Sequence, residues 1–241
     1  MADSQIHPAQ QRNRTVSERI VSRHSFSFGP YYDPGNLGFG VLIVHNEDTI
    51  SPGGGYPMHP HRDTEIVTWV LSGTLEHTDS GGGRGLTVPG TVQHLSAGAG
   101  VQHSELAIAG GGELHLVQMW VRPDTFGDLP VYRQADVEAA LSRAELVPVA
   151  SGLAKHRADA PLRLRQAGAG MSIARVPAGI AVNLPDAAAG HLFVTRGKVM
   201  LETDGAAELL HAGDAARLTR PQGEQVRALT DAEIILWELD A

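Results

Sequence analysis

The stretch MHPHRDTEIVTW, residues 58–69, sets His59 and His61 on either side of one proline at the start of a strand-like run. Further along, AGAGVQHSE gives His103 and Glu105 the same i, i+2 relation. In extended backbone, side chains two residues apart leave the same face, ~6.5–7 Å apart along the chain. Imidazole nitrogens and carboxylate oxygens are the hard-to-borderline ligands of divalent transition metals, with bonds of ~2.0–2.2 Å. Two strands brought together by a β-barrel could therefore close three imidazoles and one carboxylate on a single ion. Either motif alone is a weak signal. Both beside glycine turns in one predicted β unit make a metal site the leading reading of His59, His61, His103 and Glu105. The chain has no cysteine, which removes disulfides, thiolate sites and a thiol nucleophile. By ligand softness such a set suits iron, nickel, cobalt, manganese or copper about equally, with zinc also possible.

The elements that must position these residues are short. Gly (28) and Pro (14) are abundant and aromatics are 5% of the 241 residues, which favours strands and tight turns over long helices. The runs GFGVLIVHN, TEIVTWVLSG, GTLEHTDS and LHLVQMWV read as strands, with turns at 52–54, 81–85 and 110–112. GGGRG at 81–85 lacks the Lys-Ser/Thr ending of a phosphate loop and reads as a hairpin tip. DVEAALSRAEL, 136–146, carries Val137, Ala140, Leu141 and Ala144 at helical spacing and predicts a short connecting helix.

The second half repeats the first in outline. VLSGTLEHTDSGGG around Gly73, followed by VPGTVQHL at Gly90, is matched by VTRGKVMLETDGAA around Gly197, followed by HAGDAARL at Gly213. Two jelly-roll barrels are expected rather than a solenoid. The expected division is a flexible tail at 1–14, a metal-binding barrel at 15–130, a linker with a short helix at 131–147, and a second barrel at 148–241. Counting from the repeated glycines puts Asn183 and Pro185 in the places of His59 and His61, and Val226 and Ala228 in those of His103 and Glu105. The second barrel is thus expected to lack the ligands. Among the remaining histidines, His77 and His115 fall in strand patterns and read as supporting or packing residues. His94 beside a turn reads as solvated, and His7, His24, His45, His156, His191 and His211 receive no role.

The net charge of −8 and the lack of a dense basic run argue against nucleic acid. MADSQIHPAQQRNR has no signal-peptide core and no apolar run nears the ~18 residues of a membrane span. The expectation is a soluble cytoplasmic chain without a membrane partner, and a monomer, because two barrels cover each other.

The segments 24–40, 59–80, 96–105 and 114–121 resemble the pirin family of the cupin superfamily, specifically over about residues 20–125 and more weakly beyond. The resemblance implies an all-β fold of two tandem cupin barrels. It also implies one metal, Fe(2+) by preference, held in the first barrel by His59, His61, His103 and Glu105. Glu65, separated from the H-x-H by three residues, fits the general cupin signature and stands as the reserve ligand, although the gap from Glu65 to Gly73 is one residue longer than that signature has. His94 stands where pirins commonly carry a bulkier apolar residue, which would alter a pocket rim. Some members are quercetin 2,3-dioxygenases, so the implied activity is the opening of a flavonol's heterocyclic ring by dioxygen with loss of carbon monoxide. Four protein ligands on an octahedral ion would leave two positions for the flavonol and dioxygen, with Glu105 as ligand or base. A mammalian member is a nuclear transcriptional co-regulator, so a redox-sensing module that docks a protein partner is the competing expectation. A small carbonyl or sugar substrate is a third.

Overall fold

The computed structural model describes residues 3–203 and 205–240. Period-2 patterning becomes strand nearly everywhere. Val101–Ala107, VQHSELA, buries positions 101, 103, 105 and 107 and leaves the alternate ones more open. Each barrel is built from a seven-stranded and a four-stranded sheet. In the first, the larger sheet runs Val131–Asp136, Thr91–Ser96, Glu65–Ser72, Leu114–Val121, Leu42–Ile50, Ile20–His24, Asn13–Val16 in spatial order, and the smaller runs Gly55–His61, Val101–Ala107, Leu75–Asp79, Arg84–Thr87. In the second, Asp3–His7, Ala215–Thr219, Ala189–Arg196, Ala232–Leu239, Ala169–Val176, Val147–Ser151, Leu162–Arg163 face a smaller sheet of Ala181–Asn183, Gln225–Ala228, Lys198–Thr203, Ala206–His211. The expected bicupin fold is the fold of this chain.

The expected tail and linker are both more structured than their composition suggests. Met1 and Ala2 lie outside the described residues, but Asp3–His7 pairs with the edge of Ala215–Thr219 in the second barrel, and Ile6 packs on that barrel's core. An unpaired edge strand offers the backbone partners that a polar segment cannot find within itself. Val131–Asp136, expected in the linker, pairs with Thr91–Ser96 in the first barrel. The helix shrinks to one turn, Glu138–Leu141, started by Asp136 Oδ1 accepting the Glu138 N–H at 2.9 Å. Its continuation fails because Ala144 takes a left-handed φ of 54°. GGGRG does tip the hairpin between Leu75–Asp79 and Arg84–Thr87.

The two larger sheets pack back to back. Val67, Trp69, Met119 and Val121 from one and Met171, Ile173, Phe193 and Trp237 from the other form a single buried cluster. Each such side chain stabilises by roughly 1.5–3 kcal/mol on full burial. Polar atoms in this layer find partners across it: Trp69 Nε1 donates to Glu233 Oε1 at 2.9 Å and Trp237 Nε1 to Met119 Sδ at 3.2 Å. Among the described residues no helix is long and apolar enough to cross a membrane.

One glycine holds two strands of the smaller first-barrel sheet together. Gly55 has φ 139°, and a Cβ there would lie 2.2 Å from the Glu105 carbonyl oxygen and 2.7 Å from Leu106 Cα, both rigid backbone. Gly55→Ala is expected to lower stability in urea unfolding by ~1–3 kcal/mol. Gly112→Ala, with nothing within 4 Å of its added carbon, should stay within about 0.5 kcal/mol. Equal midpoints for the two variants would contradict this account.

Candidate metal centre

Gly55–His61 is the edge strand of its sheet, which is why it tolerates Pro57 and Pro60 without losing ladder bonds. It pairs antiparallel with Val101–Ala107, placing His59 opposite His103 and His61 opposite Val101. The register then shifts, so that Glu105 faces Tyr56 rather than Pro57. This bulge turns Tyr56 to the same side as His59, and their ring centroids stand 6.2 Å apart.

Three imidazoles converge. The ligand nitrogens of His59, His61 and His103 all lie within 4.8 Å of one another. His59 Nε2 and His61 Nε2 are 3.0 Å apart, the spacing of adjacent donors about one ion with bonds of ~2.0–2.2 Å. Hydrogen bonds set two of the tautomers. His59 Nδ1 lies 2.7 Å from the Pro57 carbonyl, an acceptor only, so Nδ1 carries the proton and Nε2 the lone pair. Asp79 Oδ1 accepts the N–H groups of Gly81 and Gly83, and Oδ2 lies 3.1 Å from His77 Nε2. His77 Nε2 is then the donor and its Nδ1 the acceptor, and that Nδ1 lies 3.4 Å from His103 Nδ1. His103 is left with a buried Nε2 that has no partner. An orphaned lone pair on a fully buried ring, beside two more imidazoles, fits a metal.

Glu105 follows at the next inward position and is grouped with His77 and His103 rather than with His59 and His61. Gln93 Nε2 donates to Oε1 at 2.9 Å and Gln118 Nε2 to Oε2 at 2.7 Å. Thr87 and Tyr132 hydroxyls orient Gln93, and Trp120 Nε1 orients Gln118. Each carboxylate oxygen keeps a further lone pair. Burial pushes the Glu105 carboxyl up to about 7 against the pull of the two amides, with the Asp48 charge adding to the rise. Burial acts oppositely on the rings. It lowers His61 to about 4, with His59 contributing, and His103 to about 3, with His59, His61 and His77 contributing.

The reserve ligand lies elsewhere. Glu65 accepts Ser96 Oγ at 2.5 Å and the Arg165 N–H at 3.1 Å, and pairs with His94 Nε2 at 2.8 Å. These bonds tie it to the contact between the barrels. His94, expected in solvent or at a pocket rim, is 2% exposed. Strand alternation explains the difference, since Gln93 takes the inward position and His94 the opposite face. His115 lies 2.8 Å from Glu47 Oε1, outside the centre. Gln93, Gln118 and Trp120 were not singled out from sequence. The available signal was a glutamine amid apolar residues in TVQHLS and LVQMWV, where alternation demands an inward side chain.

The equivalent place in the second barrel is filled with hydrocarbon. Ala181–Asn183 pairs with Gln225–Ala228, and Val182, Val226 and Ala228 sit in a cluster with Leu184, Val199 and Leu201. Among the described residues, the groups of three or more ligand-type side chains within reach of one ion both belong to the first barrel.

A pair of tandem barrels, one polar and histidine-lined and one apolar, defines a bicupin protein with a single candidate centre. The pirin family profile matches residues 6–121. A Mycobacterium tuberculosis protein provisionally named a quercetin 2,3-dioxygenase is 43% identical over 240 residues, covering 100% of this chain and 96% of its own. An Escherichia coli quercetin 2,3-dioxygenase is 42% identical over 134 residues, 56% of this chain and 58% of that protein. The crystal structure of the bacterial pirin YhhW from Escherichia coli in complex with nickel(II) superposes with a TM-score of 0.88 at 30% identity over 99% of each chain. The chain belongs to the pirin family.

The shifted carboxyl gives a titration test. At pH 6 the metal-free Glu105, titrating at about 7, is mostly protonated, and a metal that binds its carboxylate must displace that proton. Calorimetric titration with a divalent metal in buffers of different ionisation enthalpy is expected to show nearly one more proton released by the wild type than by Glu105→Gln. The excess should shrink by pH 8, where the carboxyl is already ionised. Equal release at pH 6 would remove Glu105 from the ligand set.

Proposed function

We propose that this pirin is a metal-dependent dioxygenase that opens the heterocyclic ring of quercetin-type flavonols with dioxygen and releases carbon monoxide. His59, His61, His103 and Glu105 are the proposed ligands, and Fe(2+) is the proposed metal, with nickel the alternative that the YhhW complex supports. The observation that carries the reading is the convergence of three imidazole donors, with the buried Glu105 carboxyl at the next inward position after His103. A bound divalent metal supplies charge to stabilise a flavonol 3-oxyanion and a path for electrons to dioxygen.

The chain's own residues do the rest. Glu105 is the proposed base for the flavonol 3-hydroxyl, since a carboxylate held in place beside the reacting group can take its proton. Gln93 and Gln118 hold its two oxygens in place. The Asp79–His77 pair fixes the His103 ring. Trp120 stands edge-on to His61 at 4.8 Å and gives an aromatic wall. On the outer side, His61 lines an open depression of about 720 Å³ with Arg62, Val101 and Gln102. His59 and His61 are only half-buried, and this open side favours catalysis over a sealed redox sensor that signals to a protein partner.

Protein loaded with iron(II) and incubated with quercetin under air is expected to bleach the flavonol's visible absorbance. His59→Ala should abolish the decay, and Glu105→Gln should slow it ~10²–10⁴-fold. No decay above the His59→Ala background with iron, nickel, cobalt, manganese or copper would eliminate the quercetinase reading.

A further inference from the structure

We propose that the cleft between the two barrels is a second binding site, for a small molecule bearing an oxyanion (a carboxylate or a phosphate monoester). The cleft encloses about 300 Å³ and is walled by the N-terminal segment, the loop after Ile20–His24, and the second barrel's larger sheet. That volume is at the lower end of ligand pockets, ~300–1,000 Å³. None of the proposed metal ligands lines it.

Its chemistry is cationic and unfinished. Arg217 reaches in from Ala215–Thr219 and rests against Phe26, with its guanidinium carbon 4.7 Å from the ring centroid. One nitrogen, Nη2, donates to Asn36 Oδ1 at 2.7 Å and to the Ser25 carbonyl at 3.2 Å. Nε is buried without a partner. Among the described residues Arg217 has no carboxylate at ion-pair distance, in contrast to Arg12 beside it, which is neutralised by Glu47 at 2.6 Å. Burial depresses the Arg217 pKa and only Tyr31 opposes this.

Of the histidines around it, His24 is paired through both ring nitrogens, with Thr15 and Asn46, but others are not. His191 is fully buried, and neither of its ring nitrogens has a partner. His7 Nε2, Arg12 Nε and the Nε2 of His45, whose ring meets His191 at 4.9 Å, are also buried and unpartnered. The carboxylates nearby make bonds elsewhere, Asp33 through one of its two oxygens. Asp33, in the lining, accepts the Gly35 N–H with Oδ1, Glu47 is shared by Arg12 and His115, and Asp214 accepts two backbone N–H groups. Buried polar groups are ordinarily satisfied, and water alone leaves the Arg217 charge without a counter-ion. Arg217 lines the cleft, and a guanidinium without a carboxylate partner is suited to an oxyanion, which it holds by charge-assisted hydrogen bonds.

The test is calorimetric titration of the metal-loaded full chain with inorganic phosphate and with succinate, in low chloride. Saturable binding of one molecule per chain is expected for at least one anion, and the one that binds names the source. Arg217→Met and His7→Leu should each weaken it at least ~10-fold, the loss expected for removing a charge-assisted or buried hydrogen bond, while His59→Ala leaves it intact. His7→Leu decides the matter if Arg217→Met fails to fold. Absence of binding by both anions at millimolar concentration, binding that survives His7→Leu and any folded Arg217→Met, or binding lost in His59→Ala would overturn the proposal.

Discussion

The register between Gly55–His61 and Val101–Ala107 is the constraint on which the centre rests. A slip of one residue would turn His103 and Glu105 toward solvent, because side chains alternate with a period of exactly two residues along a strand. Several features hold that register. Gly55 lets the two backbones approach closer than any side chain permits, and the bulge absorbs one residue so that Tyr56 and His59 share a face. Val101–Ala107 is pinned on its other edge by Leu75–Asp79, which sets Asp79 opposite His103 and His77 opposite Glu105. The strand that supplies His103 and Glu105 is therefore central in its sheet, while the strand that supplies His59 and His61 is at the edge. Rigid donors sit inside and accessible donors outside.

The two barrels share a framework and differ in filling. In the second, Val182, Val199, Leu201 and Val226 close the interior with hydrocarbon. In the first, Thr87, Gln93, Glu105, Gln118 and Trp120 form a continuous hydrogen-bonded chain. Such a network is tolerable in a low-dielectric interior only when every member is paired. It adds little net stability compared with an apolar core. The apolar layer between the barrels, with both Trp69 and Trp237 fully buried, is where the fold gains most, and it frees one barrel interior to be polar.

How much of this was legible depends on range along the chain. H-x-H and H-x-E declare themselves because a strand's period places residues two apart on one face, and the glycine turns that bound them repeat in the second half. Val226 and Ala228, picked out by counting from Gly213, do lie in an apolar interior. Long-range pairings were not legible. Nothing local in DSQIH says that it completes a sheet more than two hundred residues away, with Asp3 opposite Thr219. His94 looked like a turn histidine because its partner, Glu65, lies on a different strand. The same holds for His45 and His191, scattered in sequence and set edge to face between the barrels.

One physical cause gives the centre its charge state. Desolvation disfavours whichever form is charged, so it lowers the His61 and His103 imidazoles and raises the Glu105 carboxyl. At neutral pH these two rings are uncharged, with lone pairs free to donate, and the metal-free carboxyl sits close to its midpoint. A site so arranged carries little charge of its own, so its emptiness of charge is what burial requires. A dication held here by the proposed ligands would favour the carboxylate form in turn, taking the place of the proton as its electrostatic partner. The amides of Gln93 and Gln118 hold the carboxyl in one place through that change, because an amide N–H can donate to either protonation state's free lone pair. The glutamines thus position the acid and lean its charge toward the carboxylate, while burial leans it the other way.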